Sequence, residues 1–299
     1  MSEPVDSAEA PLARGAVGPS SQSSSSQSSS SLLEVSDLRT WFPVRKGPLR
    51  RVVDHVKAVD DVSFQVERGR TLALVGESGS GKTTVGRSIL RLVQPSAGSV
   101  RFDGVELLGL DERELRPFRK RIQMVFQDPT TSLNPRMRVL DLVAEGLDAF
   151  GLTKSRAERM DRVVEALEAV KLGSEHLRRF PHEFSGGQRQ RLGIARALSV
   201  GPDLIVCDEA VSALDVSIQA QILNLLASLQ ERLGVAYLFI THDLSVVRHL
   251  AHRVAVMHQG KLVETAETEQ LFRQPEHPYT ARLLSAVLSI EPAPLAPHP

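Results

Sequence analysis

One stretch of eight residues carries the most specific chemical pattern in the sequence. Residues 76–83 read Gly-Glu-Ser-Gly-Ser-Gly-Lys-Thr and fit the phosphate-loop pattern G-x-x-x-x-G-K-S/T. In such a loop backbone N–H groups surround phosphate oxygens, the lysine brings its charge to the β- and γ-phosphates, and the hydroxyl binds Mg²⁺. The residues that we predict to hold the phosphates are Gly76, Glu77, Ser78, Gly79, Ser80, Gly81, Lys82, Thr83 and Thr84. Lys82 is also expected to act in catalysis, and Thr83 to bind the metal ion.

Carboxylate, amide and imidazole side chains follow three other apolar runs. Asp208 and Glu209 come directly after the first run, Gln127 after the second and His242 shortly after the third. A carboxylate at position 208 can hold Mg²⁺ opposite Thr83, since this ion prefers oxygen ligands. Glu209 is placed to polarise an attacking water, Gln127 to touch the metal or that water, and His242 to contact the γ-phosphate. Each of these polar residues, taken alone, could have a purely structural role. Together with the phosphate loop they predict a site for phosphoryl transfer.

A second anion-binding device lies far from the first along the chain. Ser185, Gly186, Gly187 and Gln188 precede a helical run and offer an exposed helix N-terminus. The phosphate loop would already bind one triphosphate, so we infer that this second element faces the nucleotide of another subunit. Two chains packed head to tail about a twofold axis would then enclose two nucleotides.

The order of strands and helices around these residues predicts a parallel α/β sheet. Residues 70–75 are typical of a buried strand and residues 83–92 of a helix, so the phosphates would lie at the positive end of the helix dipole. From Asp203 onward apolar runs and amphipathic helical patterns alternate, as they do in parallel sheets. Ligands of such sheets bind at the carboxyl ends of the strands.

Two further regions have their own patterns. Residues 33–40 and 56–66 alternate as half-buried strands do, and we predict a basic loop from Trp41 to His55 between them. From about residue 135 to residue 181 the pattern changes to helical spacing, which predicts a helical subdomain. Ser155 and Glu158 are expected to form a capping box at the start of one of its helices.

Composition excludes several other classes of protein. Residues 1–31 are rich in serine and glutamine, and we expect a disordered tail without a secretory signal; residues 289–299 form a short proline-rich tail. Lysine plus arginine and aspartate plus glutamate both total 36, so charge gives no support for nucleic-acid binding. No apolar run is long enough to span a membrane. The single cysteine, Cys207, lies in an apolar run and is expected to be buried and inert.

Together the motifs resemble those of ABC-transporter ATP-binding subunits. In chain order they are Gly76–Thr83, Gln127, Ser185–Gln188, Asp208–Glu209, Ser212–Asp215 and His242. The resemblance covers roughly residues 32–288. It implies an α/β fold with a phosphate-loop NTPase (RecA-like) core, an antiparallel β subdomain and an inserted helical signature subdomain at about residues 135–190.

The resemblance also implies a role for each polar residue. Asp208 serves Mg²⁺, Glu209 is the catalytic base and His242 is a switch. Gln127 binds the metal ion, takes part in catalysis and couples the site to membrane subunits through its loop. Ser185–Gln188 complete the nucleotide site of the partner, and Asp215 bridges to the opposite protomer.

Four segments resemble one branch of the family, the oligopeptide/dipeptide importers: Ala58–Phe64, Phe126–Pro135, Asp208–Ser217 and His277–Thr280. Residues 41–55 resemble those of its second ATPase, the F-type. The implied function is hydrolysis of ATP with Mg²⁺ to energise peptide import, at the cytoplasmic face of the cell membrane as a peripheral subunit. The implied partners are a second ABC ATPase, two membrane permease subunits and, indirectly, a solute-binding protein. A heterodimer is favoured and a homodimer remains open.

Several alternatives remain. Nickel, glutathione or another solute could replace peptides, and a soluble ABC ATPase acting on DNA or ribosomes would be a different class of protein. A small-molecule kinase would leave Ser185–Gln188 unexplained. The family stacks an aromatic residue on adenine, and Trp41, Phe42 and His55 are all candidates.

Two departures from the family pattern stand out. Ala210 replaces the proline often found after the catalytic glutamate, with little expected consequence. Many relatives carry a cysteine-bearing carboxyl-terminal extension; no cysteine follows Cys207 in this sequence, so we expect no iron–sulfur cluster.

Overall fold

A computed structural model describes residues 31–47 and 51–288, with the side chains of 286–288 left undescribed. The predicted tails therefore lie outside the described residues, except for Ser31, which already pairs with Glu67. The strands are β1 (Ser31–Lys46), β2 (Arg51–Glu67), β3 (Thr71–Val75), β4 (Ala97–Phe102), β5 (Val105–Glu106), β6 (Ile122–Val125), β7 (Leu204–Asp208), β8 (Ala236–Thr241), β9 (Arg253–His258) and β10 (Lys261–Glu267). The α-helices are α1 (Lys82–Ile89), α2 (Glu112–Arg121), α3 (Pro129–Ser132), α4 (Val139–Phe150), α5 (Arg156–Ala169), α6 (Gly186–Leu198), α7 (Val216–Leu233), α8 (Leu244–Leu250), α9 (Thr268–Arg273) and α10 (Pro278–Leu288).

The central sheet has the strand order β10-β9-β3-β8-β7-β6. Its last five strands run parallel to their neighbours, and β10 adds an antiparallel edge. Parallel strands place all their carboxyl ends at one edge, which is where ligands of open α/β sheets bind. The α/β fold expected from the sequence is confirmed, and the antiparallel edge strand is an addition to it.

Side chains of the central strands alternate between two buried cores. In β7, Ile205 and Cys207 face a core shared with α4–α8, whereas Leu204 and Val206 face a core shared with β1, β2 and α1. Both faces of the strand are fully covered, which explains its unbroken apolar sequence. Cys207 is buried, as expected, and this burial raises the pKa of its thiol to about 12.

The second sheet is antiparallel, with the strand order β2-β1-β4-β5. The prediction of a loop from Trp41 to His55 is wrong for residues 41–46 and 51–55, which belong to the paired strands β1 and β2. Trp41 lies opposite Lys57, and Lys46 lies opposite Arg51. We call residues 41–47 and 51–57 the outer hairpin. Most of its side chains are exposed, so no alternation between buried and polar positions could reveal the strands in the sequence.

Helices α4 and α5 lie within residues 135–181, where the spacing predicts helices, and α6 follows that stretch and shares its apolar core. Ser155 caps α5 by accepting the Glu158 N–H, at 3.1 Å. The Glu158 carboxylate accepts the N–H of Lys154, at 2.7 Å, and not that of Ser155, so the predicted capping box is only half present. Among residues 31–47 and 51–288, no helix combines the length and the apolar character needed to cross a membrane.

Candidate active site

The phosphate loop joins β3 to α1 and fits closely between β2 and β9. A β-carbon on Gly81 would come within 2.0 Å of the Ala58 carbonyl oxygen, and one on Gly76 within 2.1 Å of the Met257 carbonyl oxygen. Gly81 also has a φ of +105°, which side-chain-bearing residues rarely adopt. These two glycines are therefore required by the protein's own backbone, in addition to any approach of a phosphate.

The Lys82 side chain folds back into this loop. Its ammonium group donates to the carbonyl oxygens of Gly76 and Glu77, both at 2.8 Å, and to Ser80 Oγ at 3.3 Å. Burial lowers the pKa of Lys82, while the nearby carboxylates of Glu209 and Asp208 oppose this shift. The loop thus holds a buried positive charge within its own turn.

Thr83 and Asp208 meet where α1 begins and β7 ends. Thr83 Oγ1 donates to Asp208 Oδ1 at 2.8 Å, and only 2% of Asp208 is exposed. Burial raises the pKa of Asp208, whereas the hydrogen bond from Thr83 acts in the opposite direction. A hydroxyl and a carboxylate side by side are the oxygen donors that Mg²⁺ prefers, and so the pair fits that ion.

Glu209 is held by the two other polar residues that we predicted from strand ends. Gln127 Nε2 donates to Glu209 Oε2 at 2.7 Å, and His242 Nδ1 lies 3.2 Å from Glu209 Oε1. Glu209 has a φ of +47°, and its N–H donates to the Ile240 carbonyl at 2.9 Å. The Glu209 carboxylate is therefore part of a three-residue cluster and does not cap a helix.

Ser185 and Gln188 form a full capping box at the start of α6. Ser185 Oγ accepts the Gln188 N–H at 3.3 Å, and the Gln188 side chain accepts the Ser185 N–H at 3.0 Å. Ser185 and Gly186 are exposed, whereas Gly187 is buried against α7, where a β-carbon would come within 2.4 Å of Ile218 Cγ2. The motif thus presents a rigid, exposed helix N-terminus.

Asp215 precedes α7 as its N-cap residue. It is exposed and makes no side-chain capping hydrogen bond. The Asp215 carboxylate therefore remains directed to the surface of the chain.

The outer hairpin separates the three candidates for adenine stacking onto two faces. Trp41 and His55 share one face, with ring centroids 6.4 Å apart, and the Lys57 ammonium lies 4.7 Å from the Trp41 ring. Phe42 lies opposite Val56 and so points to the other face. Trp41 and His55 can form one aromatic platform, whereas Phe42 cannot join it.

Tyr279 is a residue near the site to which sequence reasoning assigned no role. Its hydroxyl accepts the Glu77 N–H of the phosphate loop at 3.2 Å, although Tyr279 lies in α10, near the end of the described chain. Two features of the sequence could have drawn attention to Tyr279. It belongs to the His277–Thr280 motif, and it is one of only two tyrosines in the sequence.

Comparisons with known proteins agree with this geometry. The family described as "ABC transporter" matches residues 59–212, and the family described as "Oligopeptide/dipeptide transporter, C-terminal region" matches residues 263–296. The oligopeptide transport ATP-binding protein OppF of Bacillus subtilis (strain 168) is 54% identical over 257 residues, which are 86% of this chain and 82% of that protein. The dipeptide transport ATP-binding protein DppF of Lactococcus lactis subsp. cremoris (strain MG1363) is 54% identical over 238 residues, 79% of this chain and 76% of that protein.

A solved structure of the ATP-binding cassette MJ0796 has the same fold. It is described as a dimer in a post-hydrolysis state, bound to ADP and Pi. It shares 29% identity with this chain at a TM-score of 0.69 and covers 79% of this chain and 98% of the solved one. Since the first family match spans half of the sequence and the relatives share half of its residues over most of its length, the chain belongs to the ABC transporter family, as one of its ATPase subunits.

Proposed function

We propose that this chain is the ATP-hydrolysing subunit that energises an importer of oligopeptides or dipeptides. The family match at residues 263–296 and the names of the curated relatives support the class of solute. The implied assembly contains a second ABC ATPase and two membrane permease subunits, and it interacts indirectly with a solute-binding protein. We favour a related but different chain as the second ATPase. The subunit would be peripheral at the cytoplasmic face of the membrane. Co-purification with polytopic permease subunits checks this assignment, and recovery with nucleic acid instead would contradict it.

The observation that carries hydrolysis is the cluster around Glu209. Gln127 donates a hydrogen bond to one oxygen of the Glu209 carboxylate, and His242 lies beside the other oxygen. These two contacts hold the carboxylate in one orientation. We assign Glu209 as the base that accepts a proton from the attacking water. Gln127 and His242 orient that carboxylate, and His242 is the group placed to contact the γ-phosphate. Lys82 neutralises phosphate charge, as a positioned cation does in phosphoryl transfer.

Thr83 and Asp208 would hold a Mg²⁺ ion, and the amide oxygen of Gln127 would be a further ligand. When bound, Mg²⁺ neutralises charge on the phosphate oxygens. The chain's own contribution is to keep a hydroxyl and a buried carboxylate 2.8 Å apart at the end of β7. Because Mg²⁺ retains several water ligands, two or three protein oxygens suffice.

We propose that the site is completed by a second protomer. The exposed α6 terminus at Ser185–Gln188 supplies N–H groups for the partner's γ-phosphate, and Asp215 lies at the surface where it can bridge to the opposite chain. The dimeric state of the solved cassette MJ0796 supports this arrangement.

Adenine binding is assigned to the face of the outer hairpin that carries Trp41 and His55. Two aromatic rings with centroids 6.4 Å apart give a wide surface for a base, and the Lys57 ammonium beside them adds positive charge. Phe42, 41% exposed on the opposite face, serves as an internal comparison.

The change Glu209→Gln tests hydrolysis. It keeps the size of the side chain but removes the proton acceptor, so ATP turnover should fall at least about a hundredfold. ATP binding should be retained, and the chain should accumulate as an ATP-bound dimer, measured by size-exclusion chromatography. Glu231→Gln, an exposed carboxylate on α7, is the matched control and should turn over ATP normally. Unchanged turnover in Glu209→Gln would remove Glu209 from its role.

A further inference from the structure

One peptide unit of the phosphate loop is held from both sides. The unit between Gly76 and Glu77 has its carbonyl oxygen directed at the Lys82 ammonium, at 2.8 Å. Its N–H, which points in the opposite direction within the same plane, donates to the Tyr279 hydroxyl at 3.2 Å. Because a peptide unit is planar, fixing its N–H also fixes the direction of its carbonyl. Rotation of this unit would turn an N–H toward the ammonium in place of an acceptor.

Tyr279 is itself firmly positioned. Only 3% of the residue is exposed, and its ring lies over the His258 ring at the end of β9, with centroids 3.9 Å apart. The Tyr279 N–H donates to His277 Nδ1 at 3.1 Å. Burial raises the pKa of Tyr279, while the Glu77 N–H acts in the opposite direction. The hydroxyl is thus a neutral acceptor at physiological pH.

The start of α10 is tied to β10 by one carboxylate. Glu264 accepts the backbone N–H groups of Glu276 and His277, at 2.9 and 3.0 Å. The turn between β9 and β10 also reaches the phosphate loop, because the Gly260 N–H donates to the Ser80 carbonyl at 3.0 Å. The β9–β10 turn and α10 therefore contact the phosphate loop at two points, Ser80 and Glu77.

We propose that Tyr279 is a positioning residue for nucleotide binding, which acts by fixing the Gly76–Glu77 peptide and with it the acceptor that aligns Lys82. This rests on the proposed role of residues 76–83 in binding the phosphates of ATP. The carboxyl-terminal region, which follows the ATPase core in sequence, thereby becomes part of the phosphate site. A change in α10 is transmitted to the loop through one hydroxyl.

The test removes that hydroxyl and nothing else. Tyr279→Phe should weaken ATP binding by the purified full chain about three- to tenfold, the effect expected for one lost hydrogen bond. Amide hydrogen exchange of the Glu77 N–H should quicken, because its acceptor is gone. Tyr237→Phe is the matched control: it is the other tyrosine of the chain, and its buried hydroxyl donates to the Leu226 carbonyl at 3.0 Å. This control should change neither ATP affinity nor Glu77 exchange.

Three outcomes separate this proposal from the one on which it rests. Unchanged affinity and unchanged Glu77 exchange in Tyr279→Phe would overturn the proposal for Tyr279. An equal loss of affinity in Tyr237→Phe would also overturn it, since the effect would then be one of general stability. Lys82→Ala, made in parallel, should abolish ATP binding; if it does not, the role of the phosphate loop fails instead.

Discussion

Glu209 has an unusual backbone conformation, and it lies at the carboxyl end of β7, in the candidate active site. A φ of +47° is uncommon for a residue with a side chain and costs on the order of 1 kcal/mol. The surrounding structure enforces it, since the Glu209 N–H bonds to Ile240 and the Glu209 carbonyl accepts both the N–H and the hydroxyl of Ser212. Such local strain at the end of β7 turns the carboxylate toward Gln127 and His242. Strain of this kind is concentrated at functional sites.

The phosphate loop permits a direct test of why a residue must be glycine. Gly81→Ala would place a β-carbon 2.0 Å from the Ala58 carbonyl, whereas Gly79→Ala would meet no atom within 4 Å, although both have positive φ. We expect Gly79→Ala to lower the free energy of unfolding by about 1–2 kcal/mol from backbone strain alone. Gly81→Ala should lose that amount plus about 1–3 kcal/mol for the overlap. Chemical denaturation without nucleotide measures both. Equal losses in the two variants would contradict the contact with β2.

At the scale of elements, the buried strands were predictable and the outer hairpin was not. Strand β7 reads as an apolar run because both of its faces are buried, so its residues had to be apolar. The outer hairpin is held together by backbone pairing with little burial, and its basic, valine-containing sequence therefore has the pattern of a loop. The pattern of apolar residues in a sequence indicates which strand positions are buried. Where strand residues are exposed, the pattern gives little information about which strands pair.

The same difference explains which site residues could be predicted. Asp208, Glu209, Gln127 and His242 follow buried strands of one sheet, so topology alone brings their side chains to one edge. Tyr279 reaches the phosphate loop through α10, and the position of a terminal helix does not follow from any strand order. Its contact with Glu77, about 200 residues away in the chain, needed the structure. The roles of all these residues in turnover remain predictions.

The outer hairpin can be tested through its tryptophan, the only one in the chain. Trp41→Ala should weaken ATP binding by roughly fivefold to a hundredfold, the range for loss of one base–aromatic stack. Phe42→Ala, on the opposite face, should bind ATP nearly as the unaltered chain does. ATP should also quench the Trp41 fluorescence of the unaltered chain. The opposite pattern in the two alanine variants would assign the base to the other face.

At the scale of the whole molecule, the phosphate loop and the α6 terminus are the two halves of the shared site that we propose. The phosphate loop lies at the edge of the central sheet, whereas the α6 terminus extends its exposed residues from the helical region. The capping box satisfies Ser185 and Gln188 within the motif, and Ser185 and Gly186 are exposed at the surface. A twofold axis is the simplest operation that places such a surface over another copy's loop.

This arrangement predicts that two inactive variants restore each other. Lys82→Ala disables the loop of its own chain, and Ser185→Arg blocks the surface offered to the partner, so each variant alone should be inactive. In an equal mixture half of the dimers are mixed, and each mixed dimer has one intact loop facing one intact α6 terminus, which gives about a quarter of the unaltered rate. Retained ATP binding by Ser185→Arg is the control for folding, and phosphate release from the mixture is the measurement. The unaltered chain must first be shown to hydrolyse ATP as a homodimer. If it does and the mixture stays as inactive as its components, loop and terminus act within one chain and the shared site is wrong.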